Sequence, residues 1–318
     1  MGRLARNIKQ LPEIIVNSQL RRQKLVQLGT LASQKVTSYC HDTSDGIAVM
    51  EQEWDNLLIL DACRYDLFET HHDFPGTLRK VSSRGSQSRE FMEHNFTDYY
   101  HDTVYITGNP FTAFLDDDVF HATINLFDEQ WDDELMTIRP ESVVEASLKA
   151  NEEFPKKRLI IHFMQPHYPF IGERGQQIDS GGITGHTRGM NTKTRDHAPS
   201  VWSRLNNGDS TVDPETVWNA YIENFELVSG YAMELAEALD GKSVITSDHG
   251  NLFGERLWPI PVRRFGHPPE VRSPALIDVP WHELPFDERR SVKHDSPIER
   301  ESVADDMVKE RLQTLGYA

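Results

Sequence analysis

Three short apolar runs, each delivering a metal-type side chain at or just past its C-terminal end, constrain this chain more than any other feature. Leu57-Leu-Ile-Leu60 runs into Asp61, Leu159-Ile-Ile161 into His162, and Ser243-Val-Ile-Thr246 into Asp248-His249-Gly250. A short apolar run without alternation reads as a strand buried on both faces, the type that parallel sheets use. Between the runs lie stretches with helical spacing. Pro140 fits the first turn of a helix reaching Phe154, with Val143, Val144 and Leu148 as its stripe. Val217, Tyr221, Phe225, Val228, Ala232, Leu235 and Leu239 recur at steps of three or four, and Asp240-Gly241 stops that helix. Val104-Tyr-Ile106, followed by Gly108-Asn-Pro110, gives a further strand and its turn. From about Trp54 onward this alternation predicts an α/β fold, and the strand ends can converge at one edge of its sheet.

At 318 residues the chain can form one sizeable α/β domain. Its 50 Asp and Glu against 33 Lys and Arg give a formal charge of −17, which excludes a general nucleic-acid binder. The basic set is 22 Arg and 11 Lys, and acidic excess with scarce Lys resembles proteins of salt-adapted archaea. Cys40 and Cys63 have no CxxC spacing, so a reducing compartment is the simpler inference than a disulfide framework or structural zinc. With no apolar run of about 18 residues and no secretory signal pattern, a soluble cytoplasmic protein is expected.

Residues 1–40 break the charge balance: Arg3, Arg6, Lys9, Arg21, Arg22, Lys24 and Lys35 face a single acid, Glu13. Leu4, Ile8, Leu11 and Ile15 have near-helical spacing, followed by Leu20, Leu25 and Leu28. Such a segment can lie on an anionic membrane or an acidic partner, or pack on its own domain. The stretch 172–213 is polar, Gly-rich and aperiodic, which reads as a functional or disordered loop. The organisation expected is a basic helical segment over 1–50, a main domain over 51–285 and a charged tail over 286–318, with a surface helix from Ser302 to Leu315.

Asp61, His162 with His167, and Asp248 with His249 offer carboxylate and imidazole donors of the kind that divalent ions take. Alone, Asp61 reads equally as a helix cap, Asp-His-Gly as a chance triplet, and Pro166-His167-Tyr-Pro169 as a stiff turn. Their order after apolar strands is more specific than any one of them.

Leu57-Leu-Ile-Leu-Asp-Ala-Cys-Arg-Tyr-Asp66 resembles the first metal-binding strand of the alkaline phosphatase superfamily, in its sulfatase-like branch. Gln165-Pro-His-Tyr-Pro-Phe170 is similar to that branch's Pro-His-x-Pro-Phe segment, and Thr246-Ser-Asp-His-Gly250 to its second metal segment, with Asn251 in the place of the usual Glu. Gly266-His267 and Val279-Pro-Trp281 resemble its late histidine and Val-Pro segment, so the resemblance spans about 54–285. It implies an alkaline phosphatase-like α/β fold, a mostly parallel central sheet with helices on both faces. It also implies an ion held by Asp61, Asp248 and His249, with His267 the best extra ligand. Asp179, Asp196 and Asp209 stay open as its partner for a second ion. The ion would be zinc, manganese or calcium, one bound and a second unsettled.

The family places its nucleophile about 25 to 30 residues after the first aspartate, and Gly85-Ser-Gln-Ser88 matches with serine in the threonine place. Ser88 is therefore the expected nucleophile and Ser86 the alternative, both readable otherwise as a serine-rich turn with one helix cap. His167 or His162 would stabilise charge or protonate the leaving oxygen. Arg64 reads as a structural partner of Asp66 or, as the alternative, as facing the anion. Sulfatases of that branch use a cysteine converted to formylglycine, and Cys63, followed by Arg64-Tyr65-Asp66, lacks that pattern. The resemblance thus implies an enzyme, a metal-dependent hydrolase of phosphate or sulfate esters acting through serine. The alternatives are a phospho-group transferase onto a glycan or lipid, and a degenerate binding protein. Its partners would be an anionic small-molecule, glycan or lipid ester and, through residues 1–40, a membrane surface, with no nucleic acid.

Overall fold

The computed structural model describes residues 17–42, 44–181, 200–298 and 303–316. Strand β1 (Asn56–Leu60) is the apolar run at the centre of a seven-stranded sheet. It pairs in parallel with β7 (Arg158–Phe163) on one side and β8 (Ser243–Thr246) on the other. Beyond β7 come β3 (Tyr100–Thr107) and β4 (Phe120–Asn125), both parallel. Beyond β8 come β11 (Asp278–Glu283), antiparallel to both its neighbours, and then β2 (Thr77–Ser82). Two small antiparallel pairs lie outside the sheet, β5 (Trp131–Asp132) with β6 (Thr137–Ile138) and β9 (Leu252–Arg256) with β10 (Arg263–Gly266).

Alternation along β1 splits the core between two faces. Leu58 and Leu60 meet α2 (Tyr65–His71), α4 (Pro140–Glu153) and α7 (Pro214–Ala238), whose buried stripe is the one read from the sequence. Leu57 and Ile59 meet Phe91 and Met92 of α3 (Ser88–Asn95). The mixed α/β fold with a mostly parallel sheet and helices on both faces is therefore present.

Several elements differ from the sequence reading. The stretch 172–213 holds α5 (Glu173–Gly181) and α6 (Val201–Asn207), while 182–199 lies outside the described residues. Helix α6 is too short for periodicity to register; its Ser200 cap and the burial of Val201, Trp202 and Leu205 make it. Strands β2 and β4 have half-exposed, mixed patterns and were not legible as apolar runs. The N-terminal apolar set Leu4, Ile8, Leu11 and Ile15 also lies outside the described residues, and α1 (Ser18–Cys40) begins after it. α8 (Pro274–Ile277) and α9 (Asp305–Thr314) complete the helices described. No helix among the described residues is long and apolar enough to cross a membrane.

Asp55, fully buried at the start of β1, ties the opposite end of the sheet together. Its Oδ2 accepts from Lys242 N at 2.7 Å, Arg289 Nε at 2.8 Å and Arg290 N at 3.1 Å. Burial pushes this carboxyl up, but those donors outweigh it and hold it below the ordinary range. A depressed carboxyl contributes stability above its unfolded pKa of about 3.9, lost as pH falls through the folded value. Asp55→Asn is expected to lower stability at pH 7 by about 2 kcal/mol and to flatten the loss below pH 4, read by urea unfolding at both pH values. An unchanged acid limb would mean that Asp55 does not carry it.

Candidate active site

Asp61 follows β1 directly, and alternation puts it on the same face as Leu57 and Ile59, under α3. His162 lies on that face too, inside β7 rather than beyond its end, opposite Ile59 in register. Asp248 and His249 leave β8, and Ser88 is the first residue of α3. All five are fully buried.

Their polar atoms converge. His162 Nε2 stands 3.7 Å from Asp61 Oδ2 and 3.7 Å from Asp248 Oδ2. His249 Nε2 stands 3.6 Å from Asp61 Oδ1 and 3.5 Å from Asp248 Oδ2. Ser88 Oγ is 3.4 Å from both Asp61 Oδ2 and His249 Nε2. Asp61 Oδ1, Asp248 Oδ2 and His162 Nε2 are buried without a hydrogen-bond partner among the described residues. Ligand atoms about 2.0–2.1 Å from a tetrahedral ion lie about 3.3 Å apart, close to these separations. The group Asp61, His162 and Asp248 has its ligand atoms within 4.8 Å of one another and fits a metal ion.

Surrounding bonds fix each donor. Asn109 Nδ2 donates to Asp61 Oδ2 at 2.9 Å. The backbone N–H groups of Ala62 and His249 donate to Asp248 Oδ1 at 3.0 and 2.9 Å. Tyr105 OH meets His162 Nδ1 at 2.7 Å and His249 Nδ1 meets Gly250 O at 2.7 Å, leaving each Nε2 turned to the cluster. Ala62 takes a left-handed φ of 58°, uncommon outside glycine, at the turn that aims Asp61. Gly250 is required as glycine, because an added Cβ would come within 2.2 Å of Ala275 O.

The electrostatics agree with a cation site. Burial, then the charge of Asp248, pushes the Asp61 carboxyl well up. Burial raises Asp248 too, but His249 and His162 outweigh it and hold that carboxyl down. Burial brings His162 to about 4 and His167 to about 3, and His267 well below its usual value. A neutral imidazole has a lone pair to give, and a cation would stabilise the charged form of the Asp61 carboxyl, which burial and Asp248 disfavour.

His167 and His267 form a second layer. Their Nε2 atoms are 2.9 Å apart, and the His267 and His167 rings lie 4.9 and 6.5 Å from that of His249. His167 Nδ1 also meets Tyr168 O. His162, expected to act on the leaving oxygen, lies inside β7 with its Nε2 facing the two carboxylates, a position that also suits a ligand. Ser86, the alternative nucleophile, has its hydroxyl engaged with Glu90 Oε2 at 2.9 Å and Pro268 O at 3.1 Å, so Ser88 is the serine that reaches the cluster. Asp209 is bound to Arg204 and Thr211. The side chains of Asp179 and Asp196 lie outside the described residues. Arg64 is structural, as read: it pairs with Asp66 and Glu255 at 2.6 Å each.

Sequence reading missed Asn109 and Tyr105. Asn109 stood in a turn noted after an apolar run, where a polar side chain at a strand's C-terminal end was the available signal. Tyr105 looks like a core aromatic until β3 is known to lie beside β7. Asn251, in the place of the family's Glu, is fully buried, and neither side-chain polar atom has a partner among the described residues.

No family model matches the sequence, and no curated protein matches it. Among solved structures the chain is similar to the C-terminal periplasmic domain of phosphoethanolamine transferase EptC from Campylobacter jejuni. That match has a TM-score of 0.39 and 12% identity, over 72% of this chain and 78% of that one. The corresponding domain from Escherichia coli, in complex with Zn, gives 0.40 and 15%, over 75% and 76%. The putative sulfatase yidJ from Bacteroides fragilis gives 0.25 and 13%, over 56% of this chain and 36% of that one. These structural neighbours are members of the alkaline phosphatase superfamily. At such scores and identities, the reading of the site rests on its own geometry.

Proposed function

We propose that this chain is a metal-dependent enzyme that cleaves phosphate or sulfate esters through Ser88. The observation that carries the reading is the convergence of Asp61 Oδ1, Asp248 Oδ2 and His162 Nε2, buried and without hydrogen-bond partners among the described residues, beside the Ser88 hydroxyl. Asp61, Asp248, His162 and His249 would hold the ion, and their imidazole donors favour zinc or manganese over calcium. When bound, the ion supplies Lewis-acid polarisation of an ester oxygen and lowers the pKa of a coordinated hydroxyl.

The chain's own groups do the rest. Gln87, the residue before α3, makes no side-chain cap bond, so the first-turn N–H groups face an ester anion. Ser88 gives up its proton to solvent as its Oγ bonds to the phosphorus or sulfur, and the leaving oxygen departs on the opposite side, taking a proton from solvent. The neutral His167–His267 pair, its Nε2 atoms 2.9 Å apart, stabilises charge on that oxygen through an imidazole N–H. Water then releases the group from Ser88. Turnover of nitrophenyl phosphate, bis-nitrophenyl phosphate and nitrophenyl sulfate, with metal content measured alongside, tests this. No turnover of any of them, with zinc and manganese supplied, would reject it.

Transfer to a glycan or lipid acceptor is the second reading, favoured by one surface. On α1, Leu25, Leu28 and Leu31 are 52%, 56% and 54% exposed, next to Arg21, Lys24 and Lys35. Leucine and basic side chains together suit the interface of an anionic membrane, to which the rest of so acidic a chain is repelled. Replacing the three leucines by glutamate is expected to abolish co-flotation with vesicles containing phosphatidylserine. Retained flotation would remove the membrane from the proposal, and turnover that exceeds hydrolysis only with acceptor present would establish transfer.

A further inference from the structure

α1 lies across the β9–β10 hairpin and the chain beyond it. Gly29 seats on Val262, where an added Cβ would come within 2.1 Å of a methyl group. Gln34 Nε2 donates to Pro269 O at 2.9 Å, and Arg22 donates to the carbonyls of Asn206 and Leu205 at 3.1 and 3.2 Å. This packing leaves a cavity of about 270 Å³ between α1 and α6, at the small end of ligand pockets. Its lining is mainly apolar, with Val26 and Leu31 among it; Gln27, Thr30, Gln34 and Asn207 add polar groups, and Arg264 from β10 is the one charged side chain there.

Arg264 differs from Arg64, the buried guanidinium beside the active site. Arg64 is held by two carboxylates, whereas Arg264 has no carboxylate among the described residues, and its Nε is buried without a hydrogen-bond partner. Burial alone brings it down to about 10. A guanidinium largely removed from water and given no anion is costly, and an oxyanion arriving from outside would relieve that cost through two parallel N–H bonds. β10 leads from Arg264 toward His267, three residues on, a span of about 10 Å in extended chain. The cavity's cation is thus separated from His267 by about the length of a small diester.

We propose that this cavity is an anion-binding subsite in which Arg264 takes the second, non-reacting oxyanion of the substrate, a phosphate, carboxylate or sulfate. Gln27, Thr30, Gln34 and Asn207 supply donors and acceptors for the hydroxyl and ester oxygens that join that group to the reacting one. The role toward the substrate rests on the ester-cleaving reading; the binding of an anion does not.

Two measurements separate these. Calorimetric titration of the full chain with inorganic phosphate should show a site that Arg264→Gln weakens at least tenfold and Arg264→Lys partly keeps. Gln27→Trp, a plug from an exposed position of α1, should weaken the same site and guards against a folding defect at Arg264. Isotherms that match wild type in both Arg264→Gln and Gln27→Trp would overturn the subsite. In the kinetic arm, two nitrophenyl phosphodiesters are compared, one with a carboxylate on its second arm and one with a neutral methyl group. Arg264→Gln should lower the ratio of their kcat/KM values about tenfold, mainly through KM of the anionic ester, and an unchanged ratio would overturn the role toward substrate. If wild type turns over neither ester, the ester-cleaving reading has failed, while the titration still decides whether Arg264 binds an anion.

Discussion

Asp248→Asn is expected to leave the purified protein with little or no tightly bound divalent metal and to lower turnover by roughly 10³-fold. Asp248 Oδ2 is the oxygen shared between His162 and His249, at 3.7 and 3.5 Å, and its other oxygen is already committed to two backbone N–H groups. An amide keeps the volume but removes half of the negative charge of the cluster. With its oxygen on those donors it turns an NH₂ group, which has no lone pair for an ion, toward the imidazoles; turned the other way it loses both backbone bonds. Metal-to-protein ratio after dialysis and steady-state turnover are the two readouts, with thermal unfolding to establish that the variant folds. A folded variant that keeps one equivalent of metal would show that Asp248 is not a ligand.

Ser88→Ala is expected to cost at least about 10³-fold in kcat while leaving metal content close to wild type. The hydroxyl reaches Asp61 and His249 at 3.4 Å from the first turn of α3, so its loss removes the attacking atom and little of the charge that holds an ion. Ser86→Ala should cost less than about tenfold, because that hydroxyl holds the turn to Glu90 and Pro268. Steady-state kinetics of the two variants, with a search of wild type for a phosphate mass increment on the peptide carrying Ser88, checks the pair. Activity of Ser88→Ala within tenfold of wild type would remove Ser88 as the nucleophile.

How much of the centre was readable depended on where each residue lies relative to its strand. Asp61, Asp248 and His249 follow apolar runs, so their position at one sheet edge was legible from hydrophobic pattern alone. His162 was legible as a site residue, but its position inside β7 was not, since a pattern cannot say whether the strand stops before a histidine or passes through it. Tyr105 lies in β3 and Asn109 in the turn that follows it, and only the placement of β3 beside β7 brings them to His162 and Asp61. Ser86 and Ser88 are two residues apart in one turn. The family resemblance favoured Ser88, and the direction in which α3 starts brings its hydroxyl, not that of Ser86, to the cluster.

The sequence by itself determined the α/β class, the apolar strands β1, β7 and β8, the stripes of α4 and α7, and the chemical kinds of donor available. Those are local properties: period, burial tendency and residue type act over a few positions and need no partner. Only the tertiary structure decided that β1 sits between β7 and β8, that α3 delivers Ser88 rather than Ser86, and that α1 closes a cavity on Arg264. These depend on contacts between segments separated by tens to hundreds of residues. There, burial of the whole sheet, and not any local preference, selects the arrangement.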